Sequence, residues 1–210
     1  MKMEDNTQPQ LNFKITLLGE SNVGKTNIIA SYLNDKSIQI KPTMGMQMFK
    51  KDVIKEENKI FLKLYDAPGA ERHRKNAKIY SVNSNGGFIV YDITKKESFQ
   101  KIDEWVKIFR IRSSPKSPLI LIWNKSDLNE QRQISEEEGK NKAEELNFSF
   151  YETSAIERKN IDEAFDEMIK QILKREEELK IEKENEPQKK GGCCDCFWKF
   201  IYLWVIFKFI

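Results

Sequence analysis

The sequence is poor in cysteine and histidine and has only a small excess of positive charge. Among 210 residues there is one histidine, and the three cysteines lie together at Cys193, Cys194 and Cys196. A disulfide framework is therefore excluded for the rest of the chain, and a reducing compartment is indicated. Lys and Arg number 36 and Asp and Glu number 33, for a net charge of +3. This balance argues against nucleic acid as a partner.

Long apolar runs are also absent before residue 197. The first ten residues, MKMEDNTQPQ, lack the apolar core of a secretory signal and predict a disordered segment over 1–10. Residues 11–175 are long enough for one domain with a sizeable core. The charged stretch that follows, 176–192, contains Pro187 and two glycines and is interpreted as a frayed helix running into a solvated linker.

Strand-like and helix-like patterns alternate through residues 11–175. The runs FKITLL, QMFKKDVI, KIFLKLYD, GGFIVYDIT, PLILIW and FSFYET predict six strands, with helical spacing between several of them. Ser135 with Glu138 forms a capping-box pattern, and Asn160 is expected to cap the last helix. The alternation predicts an α/β fold with a mostly parallel six-stranded sheet and helices on both faces.

A phosphate-binding loop is the clearest motif. GESNVGKT, residues 19–26, matches G-x-x-x-x-G-K-[ST] between a predicted strand and a predicted helix. Glycines allow backbone N–H groups to point at phosphate oxygens, and the helix N-terminus adds positive potential. Lys25 can reach the β- and γ-phosphates and Thr26 can bind Mg²⁺. The predicted nucleotide contacts are Ser21, Asn22, Val23, Gly24, Lys25 and Thr26, and the motif alone leaves ATP and GTP open.

A second motif selects the base. NKSD begins with Asn124 at the end of a buried strand, and the Asp127 carboxylate can accept hydrogen bonds from guanine N1–H and its amine. Adenine offers no such pair of donors, so an unpaired carboxylate would penalise it. The Lys125 stem can lie along the base and reach back toward the phosphate loop. In ETSA, the Ser154 hydroxyl and the Ala155 N–H can hold the guanine carbonyl.

Together these motifs resemble the Ras superfamily of small GTPases, and most closely its Rab branch. GESNVGKT, DAPGAER (66–72), NKSD and ETSA occur in the family's order and spacing, and VYDITKKESFQKIDEW is especially Rab-like. The resemblance covers roughly residues 11–175 and implies a P-loop NTPase-type fold that binds GTP or GDP with Mg²⁺. It also implies a monomer whose partners are exchange factors, GTPase activators and effector proteins.

The resemblance assigns roles to two switch segments, the first around Thr43 and the second at residues 66–72. Thr43 would bind Mg²⁺ through its hydroxyl and the γ-phosphate through its N–H, and Gly69 would supply a second N–H. Asp66 would hold Mg²⁺ through water, beside Thr26. Lys25, Thr43 and Gly69 would thus surround the reacting phosphate, and losing that phosphate would release both loops.

The second switch departs from the family at the position that matters for hydrolysis. Ala70 stands where the family has a Gln that orients the attacking water, and Pro68 removes an N–H just before Gly69. We expect GTP binding with very slow intrinsic hydrolysis. Two hypotheses therefore remain: a switch in vesicle-mediated transport that cycles with help from partners, and a GTP-bound scaffold that hardly cycles. A metabolic P-loop kinase is disfavoured by NKSD and ETSA.

The C-terminal segment, 193–210, indicates membrane attachment. QKKGGCC resembles a Rab C-terminus, in which Cys193 and Cys194 would carry geranylgeranyl groups. The chain then continues with a segment that is nearly all apolar or aromatic and, at about 21 Å as a helix, is too short to span a membrane. Three interpretations stay open: a reading frame that passes the true stop, an interfacial anchor, and a buried packing segment. Under the first two, the protein lies on the cytoplasmic face of an intracellular membrane.

Overall fold

The structure is a computed structural model, and it describes residues 10–38, 43, 45–55, 57–70 and 79–185. Its strands are β1 Leu11–Leu18, β2 Gln47–Lys55, β3 Asn58–Asp66, β4 Gly86–Asp92, β5 Leu119–Asn124 and β6 Ser149–Thr153. Its α-helices are α1 Lys25–Leu33, α2 Lys96–Gln100, α3 Ile102–Arg110, α4 Glu136–Leu146 and α5 Ile161–Asn185, and a 3₁₀ helix covers Ser126–Gln131.

The six strands form one sheet in the order β2-β3-β1-β4-β5-β6. β2 pairs antiparallel with β3, and the other neighbours pair parallel. The predicted fold class, a mostly parallel six-stranded sheet of the P-loop NTPase type, is confirmed. Parallel strands need crossover connections, and these carry helices to the two faces of the sheet.

Alternation along the strands divides the core into two layers. In β4, Phe88 and Val90 face one cluster, whereas Ile89 and Tyr91 face the other. The first cluster includes side chains of α1 and α5, and the second includes side chains of α3 and α4. Because strand side chains point to opposite faces in turn, a strand buried on both sides is apolar along its length, as β4 is until its last residue, Asp92.

Helix boundaries agree with the sequence in some places and differ in others. Ser135 Oγ accepts the Glu138 N–H at 3.1 Å and the Glu138 carboxylate accepts the Ser135 N–H at 2.8 Å, so the capping box is present. The helical spacing after β4 is divided into two helices at Lys101. Asn160 precedes α5 with φ of 55°, and its amide donates to Glu152 O, which ties the start of the helix to β6.

The packing divides the chain into two units, one that ends at Arg175 and one that begins at Glu176. Of the second unit the structure describes residues 176–185, which continue α5, and residues 176–184 are exposed or half-buried. Within the described ranges, no helix is both long enough and apolar enough to cross a membrane. The lipidation prediction at Cys193 and Cys194 and the apolar tail lie outside the described residues.

Candidate functional site: a nucleotide site at the carboxyl ends of the strands

The predicted site residues follow the carboxyl ends of the parallel strands. The phosphate loop follows Leu18 of β1, β3 ends at Asp66, β5 ends at Asn124, and Ser154 follows β6. Parallel strands present these ends at one edge of a sheet, which is where open α/β folds bind ligands. Residues from four distant segments are therefore brought to one edge.

The phosphate loop closes tightly against the base motif. Gly24 has φ of 98°, and a Cβ there would collide with the Asn124 side-chain amide. That amide donates to Val23 O at 2.8 Å, and Asn124 Oδ1 accepts from the Thr153 hydroxyl at 3.2 Å. Asn124 therefore joins the phosphate loop, β5 and β6, and it is 1% exposed. Its position supports a role in holding the loop's shape.

Lys25 is buried at the start of α1. Its ammonium donates to Gly19 O at 2.9 Å and to Glu20 O at 2.7 Å, so it lies within the loop that the sequence predicts to bind phosphates. Burial lowers the pKa of Lys25 from 10.5 to about 8, and the negative charges of Asp66 and Glu20 offset only part of this effect. A phosphate beside the ammonium would favour its charged form.

The three predicted metal-binding side chains lie together. The hydroxyls of Thr26 and Thr43 both donate to Asp66 Oδ2, at 2.6 and 3.0 Å, and the two hydroxyl oxygens are 3.3 Å apart. Asp66 is fully buried, and its Oδ1 has no hydrogen-bond partner among the described residues. Oxygen ligands of this kind, with one carboxylate oxygen unused in a buried position, fit Mg²⁺. When bound, the ion would neutralise charge on the phosphates.

Gly69 contacts the backbone of the phosphate loop. A Cβ on Gly69 would fall against the carbonyl group of Glu20 and the amide nitrogen of Ser21. The second switch thus approaches the loop as closely as its backbone allows, and Pro68 beside it is buried. Ala70 follows with a methyl group, which can neither donate nor accept a hydrogen bond. Residues 71 and 72 of the same motif lie outside the described part of the chain.

The two base motifs are joined by a hydrogen bond. Ser154 Oγ donates to Asp127 Oδ1 at 2.6 Å and accepts the Glu157 N–H at 3.1 Å. The hydroxyl hydrogen of Ser154 is therefore used to orient the predicted base-reading carboxylate. Ala155 borders a pocket of about 390 Å³ that is also lined by Asn27 and Ala30 of α1.

Sequence reasoning missed two side chains that contact the predicted site residues, Asp92 and Trp105. Lys125 extends toward β4, where its ammonium lies 2.6 Å from Asp92 Oδ2. The Trp105 indole N–H of α3 donates to Glu20 Oε1 at 3.1 Å. Asp92 had an available signal, since it is a carboxylate at the end of an apolar strand. The partner of Glu20 is 85 residues away, and no local pattern in the sequence identifies it.

The fold is that of a P-loop GTPase, and comparison with known proteins gives the same class. The Ras family model matches residues 14–174. The chain is 38% identical to Ras-related protein RABA6b of Arabidopsis thaliana over 76% of this chain and 70% of that protein. It is 36% identical to GTP-binding protein ypt3 of Schizosaccharomyces pombe, over 77% of this chain and 76% of the relative.

A third relative is matched over more of its length. Ras-related protein RABA1c of Arabidopsis thaliana is 32% identical over 87% of this chain and 93% of its own. The chain therefore belongs to the Ras family of small GTPases, a family of GTP hydrolases, and it is Rab-like. The resemblance deduced from the motifs is confirmed.

Proposed function

We propose that this protein binds GTP and GDP with Mg²⁺ and acts as a Rab-like switch in vesicle-mediated transport, with very slow intrinsic hydrolysis. The observation that carries the proposal is the contrast at the second switch. Asp66 and Gly69 keep the groups that bind Mg²⁺ and approach the phosphate loop, whereas Ala70 lacks the water-orienting amide. Binding groups are retained and a hydrolytic group is lost.

The phosphate end of the site supports nucleotide binding. Lys25 provides an ammonium inside the loop, and Thr26, Thr43 and Asp66 provide oxygens for Mg²⁺. These residues bind and orient the phosphates and neutralise charge, which is most of what a protein contributes to phosphoryl transfer. Without a group at position 70 to orient water, the rate should fall by several powers of ten, as with other lost positioning groups.

Single-turnover GTP hydrolysis tests the slow rate. Purified protein is loaded with GTP and Mg²⁺, and the appearance of GDP is followed beside RABA6b. We expect a much slower rate for this chain, and Ala70→Gln should accelerate it by about tenfold or more. Ala70→Met is the matched control, because it adds similar length without an amide and should not accelerate hydrolysis. A wild-type rate equal to that of RABA6b would refute slow hydrolysis.

The same observation at Ala70 favours a second function, in which the protein remains GTP-bound and recruits effector proteins without cycling. The nucleotide content of protein purified from cells separates the two. Mostly bound GTP supports the scaffold, and mostly bound GDP supports a cycling switch assisted by exchange factors and GTPase activators. Both functions would be refuted if the purified protein contained neither GTP nor GDP and if calorimetry with Mg²⁺ showed no heat on adding either nucleotide.

For either function we place the protein on the cytoplasmic face of an intracellular membrane. The support is the sequence pattern of the tail, with Cys193 and Cys194 as lipid acceptors. Mass spectrometry of the native C-terminus gives the lipid mass and the last residue. If the two cysteines are unmodified and the full apolar tail is present, the tail itself is the anchor. A variant truncated after Cys196 should then no longer float with lipid vesicles.

A further inference from the structure

Asp92 is held at the end of β4 by more contacts than its place in a strand requires. Its Oδ1 accepts from the Thr94 N–H at 2.9 Å and from the Thr94 hydroxyl at 2.7 Å. Its own N–H donates to Ser98 Oγ at 3.1 Å, and its carbonyl accepts from Ser98 Oγ at 3.2 Å. The Ser98 contacts hold only the backbone of Asp92, whereas burial of the side chain and the two bonds from Thr94 fix the position of the carboxylate.

The remaining oxygen of that carboxylate accepts from Lys125. The ammonium lies 2.6 Å from Asp92 Oδ2, and the lysine side chain is 28% exposed. Lys125 has φ of 70°, an uncommon conformation that turns the chain sharply between Asn124 and the 3₁₀ helix. With its backbone fixed at one end and its ammonium at the other, the aliphatic stem between them has little freedom.

We propose that Asp92 is a positioning residue for the purine: it holds Lys125 so that the lysine stem forms a fixed wall of the base site. This inference rests on the proposed binding of guanine nucleotides. The wall stands beside Asp127, only two residues along the chain, whose carboxylate is oriented by Ser154. A stem that is already ordered costs less conformational entropy when the base packs against it.

The Asp92 carboxylate can affect the nucleotide only through Lys125, because its other oxygen is bonded to Thr94, two residues along the chain. Without the carboxylate, the Lys125 ammonium would lose its partner at β4 and move into solvent, and the aliphatic stem would move with it. Loss of one wall should increase the rate at which the base leaves. In binding interfaces, removing one partner of a buried charge pair acts mainly on the dissociation rate.

The test is the release rate of N-methylanthraniloyl-GDP from the Mg²⁺-loaded full chain after adding excess GDP. Asp92→Asn keeps the shape and removes the charge, and we expect release to accelerate by about tenfold or more. Lys125→Met keeps an apolar stem without the ammonium and should also accelerate release. The double variant should release no faster than Lys125→Met, because Asp92 has no other route to the base.

Ser98→Ala is the matched control for local damage. It removes contacts with the backbone of Asp92 and leaves the carboxylate and Lys125 in place. We expect a lower melting temperature with release unchanged. If Asp92→Asn does not fold, Thr94→Val removes one donor to Oδ1 and should give a smaller acceleration in the same direction.

The possible failures are distinct. If the wild-type chain binds neither GDP nor GTP by calorimetry with Mg²⁺, the proposed function fails. If it binds and Asp92→Asn releases GDP at the wild-type rate, only the positioning role is refuted. Additive effects of Asp92→Asn and Lys125→Met on the release rate would likewise overturn it. Additivity would mean that the two residues act independently, whereas the proposal has Asp92 acting through Lys125.

Discussion

The buried ammonium of Lys25 should destabilise the nucleotide-free protein more at neutral pH than at alkaline pH. Burial lowers its pKa to about 8 from an ordinary value of 10.5. Below pH 8 the group is protonated in both the folded and the unfolded chain, and the full cost of burying the charge is present. That cost is about 3 kcal/mol for a difference of this size.

Between about pH 8 and 10.5 the unfolded chain holds a proton at Lys25 that the folded chain has released. The unfolded state then binds more protons, so the free energy of unfolding rises with pH, by up to about 1.4 kcal/mol per pH unit. Lys25→Met removes this titration. It also leaves Gly19 O and Glu20 O without their ammonium donor, but that cost does not change with pH.

The assay is urea unfolding of protein stripped of nucleotide and Mg²⁺, at intervals from about pH 7 to about pH 10. We expect the difference in unfolding free energy, wild type minus Lys25→Met, to shift by about 2 kcal/mol in favour of the wild type over this range. Other titrating groups are shared and cancel. Lys25→Arg is the control, since its guanidinium stays protonated and its difference from Lys25→Met should not depend on pH. If the free energies of unfolding of wild type and Lys25→Met change with pH in parallel, the ammonium carries no such desolvation cost.

Two further predictions concern single contacts. Gly69→Ala places a methyl group against the Glu20 backbone and should destabilise the fold by about 1–3 kcal/mol; an unchanged melting temperature would show that the second switch moves away at no cost. Ser135→Ala removes the capping box of α4 and should cost about 1 kcal/mol in urea unfolding. Ser135→Asp is its control, because aspartate also caps, and equal losses in both variants would contradict the capping explanation.

The fold could be predicted because its signals are local. Each strand is a short apolar run, the phosphate loop stands between a strand and a helix, and a capping box identifies the start of α4. The same locality places the base motif, because Asn124 comes directly after an apolar run. Since the carboxyl ends of parallel strands share one edge of a sheet, predicting the strands also predicts that the site residues meet there.

Pairings between distant side chains could not be predicted in this way. Lys125 was expected to reach toward the phosphate loop, and the structure records its ammonium at Asp92, 33 residues earlier. Asn124 bonds Val23 across 101 residues. Such contacts depend on the register of neighbouring strands and on which rotamer packing permits, and a single sequence carries neither in a local pattern.

The helical course of residues 176–185 has a physical reason in their composition. They are charged, but Glu, Lys and Leu favour helices, and no proline or glycine occurs between residue 176 and Pro187. A charged segment that follows an established helix needs no new nucleus, so it can extend the helix at little cost.

The base end of the candidate site and its second switch differ in how their geometry is maintained, and this separates nucleotide release from hydrolysis. At the base end, Asn124, Asp127 and Lys125 are each fixed by a hydrogen bond to another segment of the chain. At the phosphate end, the second switch contributes Gly69 by close approach, with only a methyl group following it. Changes at Ala70 should therefore alter the hydrolysis rate and leave GDP release alone, whereas changes at Asp92 act on release. The measurement is the GTP hydrolysis rate and the GDP release rate in Ala70→Gln and in Asp92→Asn. We expect only hydrolysis to change in the first variant and only release to change in the second. An Ala70→Gln variant that released GDP as fast as Asp92→Asn would contradict this separation.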